Sequence, residues 1–203
     1  MQNANQQRGF SVVEALVSLV VLAVAMTGLY SLLIHNSQLN KSEQMKAETQ
    51  ANARSVLAVV VQKVRSSGWD PLGGGLFTGV TVDDDFTDAE SKLTVRADFD
   101  SVLSPGNPDG AITQQDEEIE FVHRGTSLFW RRTVGGSFEV LAPNISNDAD
   151  GDGTIENMFV PDDVSNPTRI TIQITAQSPV IDPITKDFSR YTVTADVVLR
   201  KEV

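Results

Sequence analysis

The segment Asp148-Ala149-Asp150-Gly151-Asp152-Gly153-Thr154-Ile155-Glu156 is one place where residue type and spacing could do chemistry. Carboxylates at alternate positions, then a glycine, then an aliphatic residue two further on, form the first half of a calcium loop. Asp148, Asp150 and Asp152 would supply hard oxygens and Gly153 the sharp turn. The Thr154 carbonyl adds a ligand, and Glu156 a direct or water-bridged one. Ca2+ suits such a set because it takes several oxygen ligands and tolerates irregular geometry. Where a calcium loop closes on a bidentate glutamate this chain has Phe159, so Asp162 or Asp163 would have to fold back in its place. The other reading is an acidic, solvated turn, since Asp and Gly dominate turns on conformational grounds alone.

The second chemically loaded position is Glu14. From Phe10 to Ile34 there are 25 residues with that one charge and no proline. An apolar run of about 20 residues in a helix spans the hydrocarbon core of a bilayer. A carboxylate near its start is costly in lipid and marks a functional position. A secretory signal peptide would have a short apolar core and a small-residue cleavage site after it. Here the run is long and ends at Leu32-Leu33-Ile34-His35 with no such site. A plain anchor accounts for the hydrophobicity, but not for the Gly9-Phe10 junction or for Glu14.

Behind these residues stand two structural units. A helix is expected from Phe10 to about Ser67, because the stretch lacks proline and is rich in Ala, Leu, Gln, Glu and Lys. Its apolar part covers 10–34. A polar, then amphipathic continuation covers 35–67, with an apolar stripe at Leu57, Val60, Val61 and Val64. Lys63 and Arg65 suit the negative end of the helix dipole, and Gly68 is a natural stop. Gly28 lies in the apolar part, either as a weak point or as a glycine tolerated there. The breaker cluster Ser67-Gly68-Trp69-Asp70-Pro71-Leu72-Gly73-Gly74-Gly75 ends the helix. Residues 68–203 read as a β-rich head. Strands are expected at Leu93–Phe99, at Glu118–Arg124 and Ser127–Val134 around a Gly125-Thr126 turn, and at Phe138–Ala142, Arg169–Ala176 and Ser189–Arg200. Alternation of apolar with Thr, Gln or Arg suits a sheet with one wet face. The fold class is α+β: one antiparallel sheet packed on the second half of a long helix.

Arg8-Gly9-Phe10-Ser11-Val12-Val13-Glu14, opening an apolar run, resembles the processing site of type IV prepilins. In that family a membrane peptidase cuts after the glycine and the new N-terminal residue is methylated. The resemblance implies a leader at 1–9, cleavage between Gly9 and Phe10, and methylation of Phe10. Glu14 then becomes the assembly residue, its carboxylate pairing with the N-terminal amine of a neighbouring subunit. Gln50-Ala51-Asn52-Ala53-Arg54 and Val64-Arg65-Ser66-Ser67-Gly68-Trp69-Asp70-Pro71 resemble the helix end of PilW-type minor pilins and J-type pseudopilins. Those carry an N-x-R element and then D-x-R-x-x-G-aromatic; Lys63 stands here where the aspartate would be. The strand order after Glu118, through Gly135-Gly136 to Leu141-Ala142-Pro143-Asn144-Ile145, resembles the same type.

What the resemblance implies is a minor pilin of a priming or tip complex, with prepilin peptidase and other major and minor pilins as partners. It would sit in the inner membrane with its head in the periplasm, and on the pilus or cell surface after assembly. The alternatives are a type II secretion pseudopilin, or a calcium-dependent binding or adhesion module tethered by a pilin-like helix.

Composition narrows the rest. The net charge is −11, made more negative if Arg8 leaves with the leader. Clustered Lys and Arg are what neutralise phosphates, so no nucleic-acid partner is expected. There is no cysteine, hence no disulfide framework or cysteine-ligated metal. His35 and His123 have no ligand spacing, and no nucleophile or phosphate-loop motif is present, so no catalysis is expected. The twelve carboxylates from Asp83 to Glu120, Asp98, Asp100 and Asp109 among them, read as a solvated surface or as a second metal site. Trp130, Arg131 and Arg132 read as a core aromatic with exposed arginines, or as a partner surface.

Overall fold

The computed structural model describes residues 11–70, 72, 78–83, 91–99 and 108–199. The leader with Gly9 and Phe10, Pro71 and Gly73–Gly75 of the breaker cluster, Asp100 and Arg200 lie outside the described residues.

Helix α1 runs Val12–Arg65, 54 residues, close to the expected bounds. At 1.5 Å per residue it is about 81 Å long. Its two halves live in different surroundings. From Ser11 to Lys41 every residue is exposed except half-buried Gln38. Burial begins at Ser42 and continues at Thr49, Ala53, Val56, Val60 and Val64, the spacing of one helix face. Leu57 and Val61 are only partly buried, so the packed stripe is turned slightly toward Ala53 and Val56 relative to the sequence reading. Fully burying each valine contributes roughly 1.5–3 kcal/mol, which fixes this half of the helix to the head.

Ser67 N–H reaches back to the Val64 carbonyl at 3.1 Å, and the Gly68 N–H donates to Arg96 O at 2.9 Å, which joins the helix end to the sheet. Gly68 sits at φ +71°, where glycine is favoured, and Gly79 stacks directly on it. A Cβ on Gly79 would come within 2.6 Å of the Gly68 backbone, so Gly79 must be bare for the chain to pass.

The strands are β1 (Val80–Asp83), β2 (Ser91–Arg96), β3 (Glu118–Arg124), β4 (Ser127–Arg131), β5 (Glu139–Pro143), β6 (Phe159–Pro161), β7 (Arg169–Ile181) and β8 (Phe188–Val198). All pairs are antiparallel, and the turn at Gly125-Thr126 joins β3 to β4 as expected. The α+β arrangement of a long helix with antiparallel sheet is therefore present. The strands are divided, however, between a sheet ordered β1-β2-β3-β4-β5 and a sheet ordered β6-β7-β8. The division falls after Pro143. Asn144 and Asn147 adopt φ +60° and +48°, and turn the chain out of β5. Segment 144–147 then runs along β7 as irregular backbone, joined by the isolated bridge Ile145–Ala176 and by bonds from Ser146 N and Asn147 N to Thr175 O. Helix α1 packs chiefly on β7 and β8.

The core between these layers includes Leu93, Phe121, Leu128, Ile145, Phe159, Ile172 and Ile174. His123 belongs to it: fully buried, with Nε2 2.8 Å from the Ile145 carbonyl. Burial outweighs that hydrogen bond and holds its pKa below the usual histidine range. It is a neutral bracket between β3 and the 144–147 segment.

Candidate functional site

Glu14 lies in the first turn of α1, where a carboxylate faces the positive end of the helix dipole. Around it Val12, Val13, Leu16 and Val17 are all well exposed, so none of the described residues covers this apolar surface. Ser18 and Thr27 return their hydroxyls to the carbonyls of Glu14 and Ala23, which hides two polar groups against the helix. No lysine or arginine occurs between Arg8 and Lys41. Within this stretch, then, the chain itself offers Glu14 no lysine or arginine partner. The helix is long and apolar enough to cross a membrane, by length and composition.

The N-x-R element finds its purpose in the structure. Asn52 Nδ2 donates to the Pro143 carbonyl at 3.1 Å, holding the end of β5 to the helix. Arg54 stacks over the Tyr191 ring, 5.9 Å from its centroid, and the Tyr191 hydroxyl accepts from Gln50 Nε2 at 2.9 Å. Lys63 lies 3.9 Å from Asp116, which also pairs with Arg132. Arg132 covers the Trp130 ring, and Trp130 packs on Phe121 with centroids 6.5 Å apart. Arg131 pairs with Glu120. Trp130 is thus a core-edge aromatic flanked by paired arginines.

The acidic loop brings together part of its expected ligand set. Carboxylate oxygens of Asp148, Asp150 and Glu156 lie within 4.8 Å of one another. Asn147 closes the loop: it donates through its side chain to the Glu156 carbonyl, and its own carbonyl accepts from Glu156 N at 2.8 Å. Backbone N–H groups already serve these carboxylates, Gly151 to Asp148 at 2.7 Å and Ala149 to Glu156 at 3.0 Å. Asp152 stands apart, its carboxylate taken by the Thr154 N–H at 2.6 Å, which holds its pKa below the usual carboxylate range. Phe159 is buried in β6 and offers no ligand. Asp162 does not fold back either; it caps its own turn, accepting from Thr168 N and Arg169 N. Asp163 accepts from Ser165 N and Asn166 N. A cation here would be held by Asp148, Asp150 and Glu156, with the Arg190 guanidinium packed against Gly151 beside them.

Of the carboxylates read as a surface or second metal site, Asp98 is buried and accepts from Asp109 N and Gly110 N, at 3.3 and 2.8 Å. It is a structural staple. Sequence reasoning also missed Glu117 and the Ser42–Asp182 hydrogen bond of 2.5 Å, because nothing in the local pattern of either acid announces burial.

A long helix with a bare apolar half, joined to a β-rich head, defines a pilin-like architecture. Residues 4–30 match the family model described as the prokaryotic N-terminal methylation motif, which indicates a type IV prepilin-like protein. Neither the curated proteins nor the solved structures yield a match to the chain.

Proposed function

We propose that this protein is a minor pilin, cleaved by prepilin peptidase between Gly9 and Phe10 and methylated on Phe10. Before assembly its helix anchors it in the inner membrane with the head in the periplasm. It then joins other pilins in the priming or tip complex of a type IV pilus. The observation that carries this reading is one carboxylate, Glu14, in the first turn of a helix whose first half is otherwise apolar and exposed. The PilW-type assignment draws on the Asn52 and Arg54 contacts described above. The test is mass spectrometry of the N-terminal peptide from sheared filaments and from membranes. A peptide beginning at methylated Phe10 in the sheared fraction is expected. Processed protein confined to membranes would move the assignment to a type II secretion pseudopilin. An intact N-terminus in both fractions would refute processing.

A second reading, a calcium-dependent binding or adhesion module on a pilin-like helix, is favoured by the convergence of Asp148, Asp150 and Glu156. Three carboxylates so close repel one another, and a hard cation relieves that repulsion. On this reading, calorimetry of the detergent-solubilised protein records calcium binding that Asp150→Ala abolishes. Absence of binding heat in the unmodified protein leaves the loop an acidic turn.

A further inference from the structure

We propose that His123 is an acid-released latch: it holds segment 144–147 to the head near neutral pH and frees it in acid. The inference stands apart from the pilin reading.

The geometry fixes the state of the imidazole. The Ile145 carbonyl can only accept, so Nε2, 2.8 Å from it, carries the ring proton. Nδ1 is then a bare acceptor. It is buried and has no hydrogen-bond partner among the described residues. A second proton would go to Nδ1, placing a cation in the core with nothing to receive its N–H.

No charged group faces the ring to share that cost. Across the sheet His123 stands opposite Ser91 of β2 and Leu128 of β4. The segment Asn144-Ile145-Ser146-Asn147 carries no charge, and Ile145 is bridged to Ala176 of β7. The buried face of α1 offers Thr49, Ala53, Val56 and Val60. Glu118, Glu120 and Arg124 alternate onto the other face of β3, as does Lys92 of β2. There Glu120 is paired with Lys92 and Arg131. Burial is what opposes protonation of His123, working against the Ile145 hydrogen bond.

What the latch holds is the crossing between the two sheets. Ile145 is tied to the five-stranded sheet twice, by its N–H to the Thr126 carbonyl at 3.0 Å and by His123 on its own carbonyl. On the other side Ser146 and Asn147 donate to Thr175 O of β7, and Gln177 donates to Asn144 O. Asn147 also closes the acidic loop onto Glu156. A segment that lifts away exposes the imidazole to water, where it takes up a proton at about pH 6.5. The closed form refuses that proton, so the stability it contributes is present above this pH and lost below it. At about pH 5.5, one unit lower, the opened state gains about tenfold over the closed one.

The full-length protein in detergent is compared at about pH 7.5 and about pH 5.5 by amide hydrogen exchange, corrected for the intrinsic pH dependence of exchange. In acid, protection across 144–156 should fall about tenfold more than protection across 53–64 of α1. His123→Gln keeps a donor for Ile145 and cannot titrate, so it should cut that difference to within about twofold. An equal loss in both regions of the wild type would overturn the proposal, as would a selective loss that persists in His123→Gln. A second measurement leaves the core untouched. The chain has two histidines, and proton NMR follows both rings, with His35→Gln assigning the signals. His123 should titrate below the ordinary value of about 6.5. Titration at or above that value would overturn the latch, whether or not the glutamine variant folds.

Discussion

Glu14→Val yields protein that is cleaved and held in the membrane but missing from sheared filaments. The physical reason lies in what the variant leaves behind. On the proposed function, assembly would stack the uncovered halves of neighbouring helices, and the mature N-terminal amine would enter that apolar layer as a cation. Methylation keeps its charge. Between Arg8 and Lys41 the chain has no other cation, and Glu14 is the only acid between Phe10 and His35, so amine and Glu14 are each other's natural partners. Removing one member of a buried pair strands the other charge, at a cost of about 3–5 kcal/mol. Every 1.4 kcal/mol is a factor of ten in an equilibrium, so incorporation falls more than a hundredfold. Cleavage should persist, because the peptidase acts at Gly9-Phe10 and the valine keeps the run apolar. Glu14→Gln keeps a hydrogen-bond acceptor and loses the charge, and should fall between. The measurement compares immunoblots of sheared and membrane fractions. Wild-type amounts of Glu14→Val in the sheared fraction would refute the pairing mechanism.

The parts of the molecule that were legible in the sequence are those governed by local period. Helix α1 shows itself through an unbroken absence of proline and a stripe at helical spacing, and its end through Gly68. The β3–β4 hairpin and the long alternating strands β7 and β8 are equally local signals. The division into two sheets was not legible, because it depends on Asn144 and Asn147 entering the left-handed region. Asparagine tolerates that conformation, yet its type alone does not require it. The acidic loop was half legible. Alternation gathers Asp148 and Asp150, while the part played by Glu156 depends on its tie to Asn147 across the loop. Phe159 reads as a loop position by count, and its apolar side chain goes to the core instead. The stretch from Asp83 to Glu120 misled most. Its density of carboxylates reads as solvated, yet Asp98 and Glu117 are fully buried and Glu120 nearly so. Glu120 is paired to Lys92 and Arg131. Asp98 is satisfied by the amides of Asp109 and Gly110, and Glu117 by the distant Phe99 amide together with two amides three and four residues before it; the distant contacts are what no local pattern encodes.

Glu117 tests that last point. Its Oε1 accepts from Phe99 N at 3.2 Å, and its Oε2 from Thr113 N at 3.0 Å and Gln114 N at 2.9 Å. The Glu117 carbonyl in turn accepts from Ala97 N at 2.9 Å. One side chain therefore satisfies three N–H groups and pins the segment after residue 108 to the end of β2. Glu117→Ala leaves the Phe99 and Gln114 N–H groups without this acceptor, while Thr113 N keeps the Gln114 Oε1 at 3.2 Å. At about 1 kcal/mol or more for each of the two, the loss is roughly 2 kcal/mol, a sizeable share of the 5–15 kcal/mol typical of a domain. With the urea dependence usual for small domains, the unfolding midpoint falls by about 1–2 M. Glu117→Gln retains one acceptor oxygen. That oxygen can serve Thr113 and Gln114, but the amide NH2 then meets the Phe99 N–H, donor against donor. The glutamine variant should unfold between the other two. Trp69 is a built-in probe, since its carbonyl accepts from Asp98 N beside this site. A solvated glutamate would give changes within about 0.5 kcal/mol on either substitution. An alanine variant that unfolds at the wild-type midpoint would restore the surface reading of the acidic stretch. A graded loss from glutamate through glutamine to alanine establishes Glu117 as the staple of the loop.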